Sequence, residues 1–404
     1  MKIVIFNSFY YPRFVGGAEI SVKLLAEGLV EKGNSVYVIS IGEQNKAERI
    51  NGVTVIRVKH RNVFSPYEPK KHVKLIKMVW LLLDAFNPFY HWQIKSILRQ
   101  IKPDVVHTNN IMGFSPVIWS TIKNLKIPLV HTMRDYYLLC HKTNMFNNSK
   151  NCDEICAECK VTQRIKKMQV NCPDMYVGVS NFILNKHNAF LKTLSARQKQ
   201  VVYNAVEMPT EISDKSRFQL TLGYIGRIAE DKGFSYLVRQ IRELQNRCPG
   251  KFSFMVAGVG EQAYIDQMEE ELKDVKHKFL GKTRPETFYN SVDMTIVPSQ
   301  WHEPFGRVAV ESLAYGVPVC MAASGGLTEI HNEKCTWLFK PEKDNLVNLL
   351  AKILLNPELL TVKKESCRIY AAKFDNKHNV ESYFAIYTDL LVDKAKNGQH
   401  IVSR

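Results

Sequence analysis

Short runs rich in Val and Ile alternate with helix-length amphipathic stretches along nearly the whole chain, and this alternation leaves few folds open. Parallel strands need a crossover of a dozen or more residues, usually a helix, so strand–helix–strand units in series build parallel sheets with helices on both faces. In the first half the candidate strands are Lys2–Phe6, Val36–Ser40, Val53–Val58, Val105–Thr108, Leu129–Thr132, Tyr176–Val179 and Val201–Tyr203. A polar stretch, Glu207–Ser216, interrupts the pattern, which restarts with Leu220–Ile225, Phe252–Ala257, Lys278–Leu280, Met294–Val297, Val317–Met321 and Trp337–Phe339. A last helix from about Asn376 carries Val380, Tyr383, Phe384 and Tyr387 on one face. At 404 residues the chain exceeds what one core usually organises. The expectation is an α/β protein of two Rossmann-like domains facing a cleft: residues 1–205, a linker at 206–216, residues 217–375, and a terminal helix at 376–404. Open parallel sheets bind ligands at the carboxyl ends of their strands, so the strand-to-helix turns are where chemistry is sought.

Charge separates the halves. Residues 1–205 carry 29 Lys and Arg against 13 Asp and Glu, whereas residues 206–404 carry 26 of each, so the whole excess of +16 lies in the first half. Such asymmetry suggests an anionic partner, whether phospholipid, lipid-linked phosphate or nucleic acid. No nucleic-acid recognition module is evident, and nucleic acid is set aside. The segment Lys70–Leu83 mixes Lys with apolar residues and is followed by Phe86, Phe89, Tyr90 and Trp92, the pattern of an interfacial helix or of an ordinary domain helix. Its most apolar run, Met78–Leu83, is cut by Asp84, and no run approaches the length of a spanning helix. The opening residues read as a first strand and not as a signal peptide. The location expected is cytoplasmic, peripheral at the inner face of the membrane.

The strongest motif is Glu303-Pro304-Phe305-Gly306-Arg307-Val308-Ala309-Val310-Glu311, after the strand Met294–Val297 and opening a helix that Gly316 and Pro318 close. Glu303 sits ahead of the helix and Glu311 within it; the amides around Gly306 form a helix N-terminus, a natural seat for a diphosphate. That layout suits a nucleotide sugar, with one carboxylate on sugar hydroxyls and the other on the ribose diol. Gly226-Arg227-Ile228-Ala229-Glu230-Asp231-Lys232-Gly233 follows the strand Leu220–Ile225, and an Arg and a Lys on such a turn can converge on a diphosphate and offset charge growing on a leaving group. Gly16-Gly17 before Ala18-Glu19 lets backbone approach a phosphate or sugar.

These residues resemble glycosyltransferase family 4, whose members are retaining, nucleotide-sugar-dependent enzymes of the GT-B fold. The family hallmark Glu-x7-Glu is matched by Glu303 and Glu311, and the resemblance implies that Glu303 contacts the donor sugar, that Glu311 binds the ribose, and that Arg227 and Lys232 stabilise the departing diphosphate. Gly16 and Gly17 resemble the family's N-terminal glycine loop, and Ser324-Gly325-Gly326-Leu327-Thr328-Glu329 resembles its Gly-Gly-x-x-Glu turn, which implies donor contacts at Gly306, Gly325, Gly326 and Leu327. Many members place a His just before the Asp of the loop His131-Thr132-Met133-Arg134-Asp135; here Arg134 stands there, which leaves His131, Arg134 and Asp135 open as sugar or acceptor contacts, with His131 equally a core histidine. The terminal helix resembles the family's closing helix, which crosses back onto the first domain. The expected acceptor is a lipid-linked or lipopolysaccharide-type glycan and the donor a UDP-, GDP- or ADP-sugar.

No Asp-x-Asp occurs, so chemistry without a catalytic metal is expected. Five of nine cysteines fall between residues 140 and 172, and Cys140, Cys152, Cys156 and Cys159 are either ligands of a structural zinc or free thiols. Gly258-Val259-Gly260-Glu261-Gln262-Ala263 formally fits a dinucleotide fingerprint, but in the second unit after the linker and not in the first. A nucleotide-sugar epimerase of the same architecture and a non-catalytic sugar-nucleotide-binding protein are the other readings.

Overall fold

A computed structural model describes residues 1–14, 16–65, 73–192, 199–212, 219–343 and 345–402. The chain divides into two units, one of residues 1–145, 153–205 and 376–404, the other of residues 146–152 and 206–375. Each is built around its own sheet.

The first unit holds β1 (Lys2–Phe6), β2 (Ser35–Gly42), β3 (Lys46–Ile50), β4 (Val53–Lys59), β5 (Val105–Thr108) and β6 (Leu129–Met133), and then, beyond the hairpin strands β7 (Phe146–Asn147) and β8 (Lys150–Asn151), β9 (Met175–Gly178) and β10 (Lys199–Val201). Its sheet order is β10-β9-β6-β5-β1-β2-β4-β3. Every pair is parallel except β3 with β4. The helices are α1 (Gly17–Glu31), α2 (Lys74–Ala85), α3 (His91–Ile101), α4 (Val117–Asn124), α5 (Ala157–Lys167) and α6 (Asn181–Leu191). Strand bounds move by two residues at two places, the strand expected at Val317–Met321 being Val319–Ala322. The strand expected at Val201–Tyr203 ends at Val201, and β3 was not expected at all. β3 reads Lys-Ala-Glu-Arg-Ile and is largely exposed, because a charged outermost strand needs no apolar alternation and resists pairing with other chains.

The second unit carries β11 (Leu220–Ile225), β12 (Phe252–Ala257), β13 (His277–Phe279), β14 (Met294–Val297), β15 (Val319–Ala322) and β16 (Thr336–Phe339), ordered β13-β12-β11-β14-β15-β16 and wholly parallel. Chain order reverses between β11 and β14, the position at which doubly wound sheets open a crevice. Its helices are α7 (Phe234–Arg247), α8 (Gln262–Glu271), α9 (Pro285–Tyr289), α10 (Arg307–Ala314), α11 (Leu327–Ile330), α12 (Leu346–Leu355) and α13 (Glu358–Ala371). Phe234, Leu237, Ile241 and Leu244 of α7 pack with Leu222, Phe254 and Val256 of the sheet as its main core. The β7–β8 hairpin turns through Asn148 and Ser149, both in left-handed backbone, and groups with this unit although the sequence reading kept it in the first domain.

The last helix, α14 (Asn376–Val402), belongs to the first unit. Val380, Tyr383, Ile386 and Tyr387 join Val22, Leu25 and Leu29 of α1 in one apolar cluster. Gly28 allows this closeness, since a Cβ there would stand 2.6 Å from Val380 Cγ2. Buried hydrogen bonds fix the angle: Tyr387 Oη lies 2.7 Å from His107 Nδ1, and Tyr383 Oη lies 3.0 Å from Thr132 Oγ1. No described helix is long and apolar enough to cross a membrane.

Candidate active site

Three loops of the second unit meet at the carboxyl ends of β11, β14 and β15, flanking the strand-order reversal: residues 226–233, 298–306 and 323–326. Their backbones approach closely only because of glycine. A Cβ on Gly233 would fall 1.9 Å from Pro298 O, one on Gly325 would fall 2.5 Å from Glu303 O, and one on Gly326 would fall 2.5 Å from Pro304 O. The Gly326 amide donates to Glu303 O at 2.7 Å. Gly325 and Gly326 therefore hold the backbone of residue 303 by direct apposition. Gly306, at φ +107°, turns the chain into α10, and there a Cβ would meet Leu327 Cδ2 at 2.3 Å. Leu327 is fully buried, so its side chain is packing for that turn and not a surface for ligand.

Inside this frame Lys232 Nζ donates to Glu303 Oε1 at 2.6 Å and Ser299 Oγ donates to the same oxygen at 2.7 Å. The Lys232 ammonium also lies 4.5 Å from the centre of the Trp301 ring. Burial raises the Glu303 carboxyl, but the nearby ammonium and hydrogen bonds from Lys232, Ser299 and Trp301 outweigh it and hold the group below its ordinary value. A nearly enclosed anion is thus kept charged beside a cation. Glu311, on α10, accepts from Arg307 Nη2 at 2.8 Å and from Tyr289 Oη at 3.4 Å.

The Arg227 guanidinium is more than half exposed and paired with Asp231 on its own loop, while Lys232 is taken up by Glu303. The two cations expected to converge on one anion each hold a carboxylate in this structure. Tyr224 Oη donates to Arg227 O at 2.6 Å and ties the turn to β11. The two glycines of the dinucleotide-like motif are accounted for by packing. Cβ atoms on Gly258 and Gly260 would meet Gly226 O at 1.8 Å and Ile228 O at 2.2 Å, where the two loops run side by side. The hairpin adds a brace that the sequence did not announce. Asn151 Nδ2 donates to Gln300 O at 2.8 Å, Asn151 Oδ1 accepts from the His302 amide at 2.7 Å, and Ser149 Oγ donates to Glu230 Oε1 at 2.6 Å. Ser299, Trp301, Tyr289 and Asn151 are the site residues that sequence reasoning missed. Ser and Trp next to a motif Glu are a weak signal, and Asn151 gives none.

In the first unit, Gly16 precedes α1 with extended backbone, and among the described residues no atom lies within 4 Å of where its Cβ would be; its amide donates to Glu19 Oε2 at 2.8 Å, and Gly17 begins the helix. Arg134 donates from Nε to Asn109 Oδ1 at 2.8 Å and from Nη1 to Asn204 Oδ1. Asp135 accepts from the Tyr137 amide at 2.8 Å, and burial pushes its carboxyl up to about 6. His131 is a core residue. Its ring is 4% exposed, lies 4.7 Å from Trp119 and 5.8 Å from Tyr176 centre to centre, and has Nδ1 3.0 Å from Thr108 Oγ1. Burial drives its pKa down to about 3.

Among the four singled-out thiols, Cys140 and Cys159 have Sγ atoms 3.7 Å apart, with His141 Nδ1 3.2 Å from Cys159 Sγ, and Cys156 precedes the first turn of α5. Cys152 lies at the end of the hairpin. Among the described residues no group of three or more His, Cys, Asp or Glu is set to hold a metal ion.

The profile of "Glycosyltransferase Family 4" matches residues 15–208 and that of "Glycosyl transferases group 1" matches residues 210–374. The "Uncharacterized 42.6 kDa protein in cps region" of Klebsiella pneumoniae is 34% identical over 334 residues, which cover 82% of this chain and 87% of that protein. Solved structures that share the fold include the following two. Sucrose-phosphate synthase from Thermosynechococcus elongatus has a TM-score of 0.76 at 18% identity, covering 97% of this chain and 99% of that one. Anabaena Alr3699/HepE in complex with UDP-glucose has a TM-score of 0.69 at 17% identity, covering 96% and 100%. With both halves matched, a relative above 30% identity across four-fifths of its length, and the hallmark Glu303 and Glu311 on the loop after β14 and the helix it opens, the chain belongs to glycosyltransferase family 4 and is a glycosyltransferase of the GT-B fold.

Proposed function

We propose that this glycosyltransferase takes its sugar from a nucleoside diphosphate sugar held by the loops after β11, β14 and β15, and transfers it with retention to a growing glycan on a lipid carrier or lipopolysaccharide, without a catalytic metal. The observation that carries the donor reading is the Lys232–Glu303–Ser299 cluster, locked by Gly325 and Gly326 at the start of α10. As a diphosphate arrives, Lys232 is the cation that exchanges a carboxylate oxygen for phosphate oxygens, which releases Glu303 to accept from a sugar hydroxyl. Arg227, exposed and paired with Asp231 on its own loop, can swing from Asp231 to the same anion. Such cations stabilise the negative charge that grows on the leaving diphosphate as the glycosidic bond breaks, and the first-turn amides of α10 add to them. Glu311, already oriented by Arg307 and Tyr289, takes the ribose diol. No side chain is assigned as a covalent nucleophile. Same-face attack by the acceptor hydroxyl, with its proton passing to the departing diphosphate, accounts for retention.

The UDP-glucose bound to Anabaena HepE supports UDP-glucose as the first donor to try, and the position of the Klebsiella relative in a cps region supports a cell-surface glycan as acceptor. The test is a screen of UDP-, GDP- and ADP-sugars by thermal shift, followed by product analysis with wild type and Glu303→Gln. A melting point raised by one donor, with transfer that the variant has lost while its unliganded melting point holds, is the expected result. Transfer by Glu303→Gln at the wild-type rate overturns the assignment, and accumulation of an epimer without acceptor turns it toward an epimerase.

A further inference from the structure

Three thiols and an imidazole meet at the first turn of α5. Cys156 precedes that turn and Cys159 lies within it, the Cys-x-x-Cys spacing at a helix start that dithiol redox sites use. Cys159 Sγ lies 3.7 Å from Cys140 Sγ, to which it donates, and 3.2 Å from His141 Nδ1; the Cys156 side chain also hydrogen-bonds Cys159. Cys140 and Cys159 are buried, at 7% and 3% exposure, whereas Cys156 is half-buried among exposed neighbours, Asp153 and Glu154 before it and Ala157 and Glu158 after it. The Cys159 thiol, and with it the amides of Met145 and Lys142, outweigh burial and hold the Cys140 thiol below its ordinary value. Cys320, fully buried in β15, is the contrast: burial alone acts on it and pushes its thiol up, as for an inert packing residue.

The same thiols stand at the root of the hairpin. The chain leaves the first unit after Met145 and returns at Asp153, and in between it carries Asn151 to Gln300 and His302. Cys140 and Cys159 flank that excursion on either side, so a bond between them closes a loop with the hairpin inside it.

We propose that Cys140 and Cys159 form a reversible disulfide, made by a peroxide that enters through Cys156. The Cys156 thiolate attacks one peroxide oxygen; an S–O bond forms, the O–O bond breaks, and the departing hydroxide leaves as water. Cys159 then attacks the Cys156 sulfur, and the second oxygen leaves as water with the Cys159 proton. The Cys140 thiolate attacks Cys159 in turn, and Cys156 departs as a thiolate that regains a proton. In sum two thiols lose two electrons and two protons, and the peroxide becomes two waters. The resulting bond lies beneath the surface, and it ties the two ends of the hairpin segment together. No donor or acceptor takes part, so the chemistry stands or falls apart from the donor assignment.

The full-length protein is treated with hydrogen peroxide, alkylated, digested and mapped by mass spectrometry. One disulfide is expected, Cys140 to Cys159, which dithiothreitol reverses. Amide exchange across residues 146–152 slows severalfold in the oxidised protein, because closing the loop removes conformations. Cys156→Ser forms the same bond about tenfold more slowly. Cys140→Ser stops at a bond between Cys156 and Cys159, and Cys159→Ser stops at a sulfenic acid on Cys156, which dimedone traps. Thermal melts of each reduced variant, taken alongside, separate lost chemistry from a lost fold. Wild-type thiols that survive peroxide unchanged, or a bond that joins other cysteines, overturn the proposal. So does zinc bound in stoichiometric amount to protein purified without chelator, since the thiols would then be its ligands.

Discussion

Replacing Gly325 by Ala tests how the site is held together. The added Cβ stands 2.5 Å from Glu303 O, 2.7 Å from Glu303 N and 2.8 Å from His302 C, all backbone atoms with no flexible end to turn aside. Unstrained contacts of this kind lie at about 3.5 Å, so the chain at 302–303 must retreat by about 1 Å. Gly325 also has φ +56°, which for alanine costs on the order of 1 kcal/mol. The retreat draws Glu303 away from Lys232 and Ser299, now 2.6 and 2.7 Å from its carboxylate, and loosens the Gly326–Glu303 backbone bond. A misplacement of about 1 Å at a reacting centre lowers turnover roughly a hundredfold. Gly250→Ala is the control: its φ is +70° with nothing within 4 Å, so it carries the backbone penalty without the clash. In steady-state transfer assays with thermal melts, both variants lose a little stability and only Gly325→Ala loses kcat. Equal kcat in the two variants would refute the claim that glycine at 325 sets the position of Glu303.

Further outcomes follow from the same geometry. Lys232→Ala leaves the enclosed Glu303 carboxylate without its cation; donor affinity and kcat fall together, by tenfold or more each, and the Glu303 carboxyl titrates upward. Asn151→Ala removes both hydrogen bonds that brace Gln300 and His302, and kcat drops severalfold with a melting point within about 2 °C of wild type; an unchanged kcat removes the hairpin from the working site. Gly16→Ala meets no atom and keeps the fold, so loss of activity in that variant marks a ligand within reach of Gly16. His131 and His187 stay neutral in the fold, with pKa values driven down by burial to about 3 and about 4, against 6.5 for the free side chain. Above pH 6.5 both states hold them neutral and they contribute nothing. Below it only the unfolded chain takes the protons, so unfolding free energy falls by up to about 1.4 kcal/mol per pH unit for each imidazole as pH drops toward 4. Urea titrations at pH 7 and pH 5 check this, and equal midpoints would contradict it.

Most strands were legible because a buried parallel strand must be a short Val/Ile run, and Lys2–Phe6, Leu220–Ile225 and Met294–Val297 appear in the structure with those bounds. β3 was not legible, since an outermost strand exposed to water has no burial to write into its sequence. The motif residues were legible one loop at a time. What could not be read was their pairing: that Lys232 chooses Glu303, 71 positions away, while Arg227 keeps Asp231 depends on how β11 and β14 lie side by side. The hairpin was illegible for a related reason. Only two residue pairs make it, Phe146 with Asn151 and Asn147 with Lys150, and its value lies in contacts with a loop about 150 positions further on. In sequence His131 reads as either core or ligand because an isolated histidine carries both meanings, and the packing of Trp119 and Tyr176 around it gives the core one.

The return of α14 to the first unit has a consequence for how the molecule is made. On a ribosome, residues 1–205 emerge first, but the helix that covers Val22, Leu25 and Leu29 comes only after residue 375. At typical elongation rates that gap lasts on the order of ten to thirty seconds. During it the earlier unit waits with an apolar groove open to chaperones. Nascent chains stalled before residue 376 should therefore carry a first half more open to protease than it is in the finished protein.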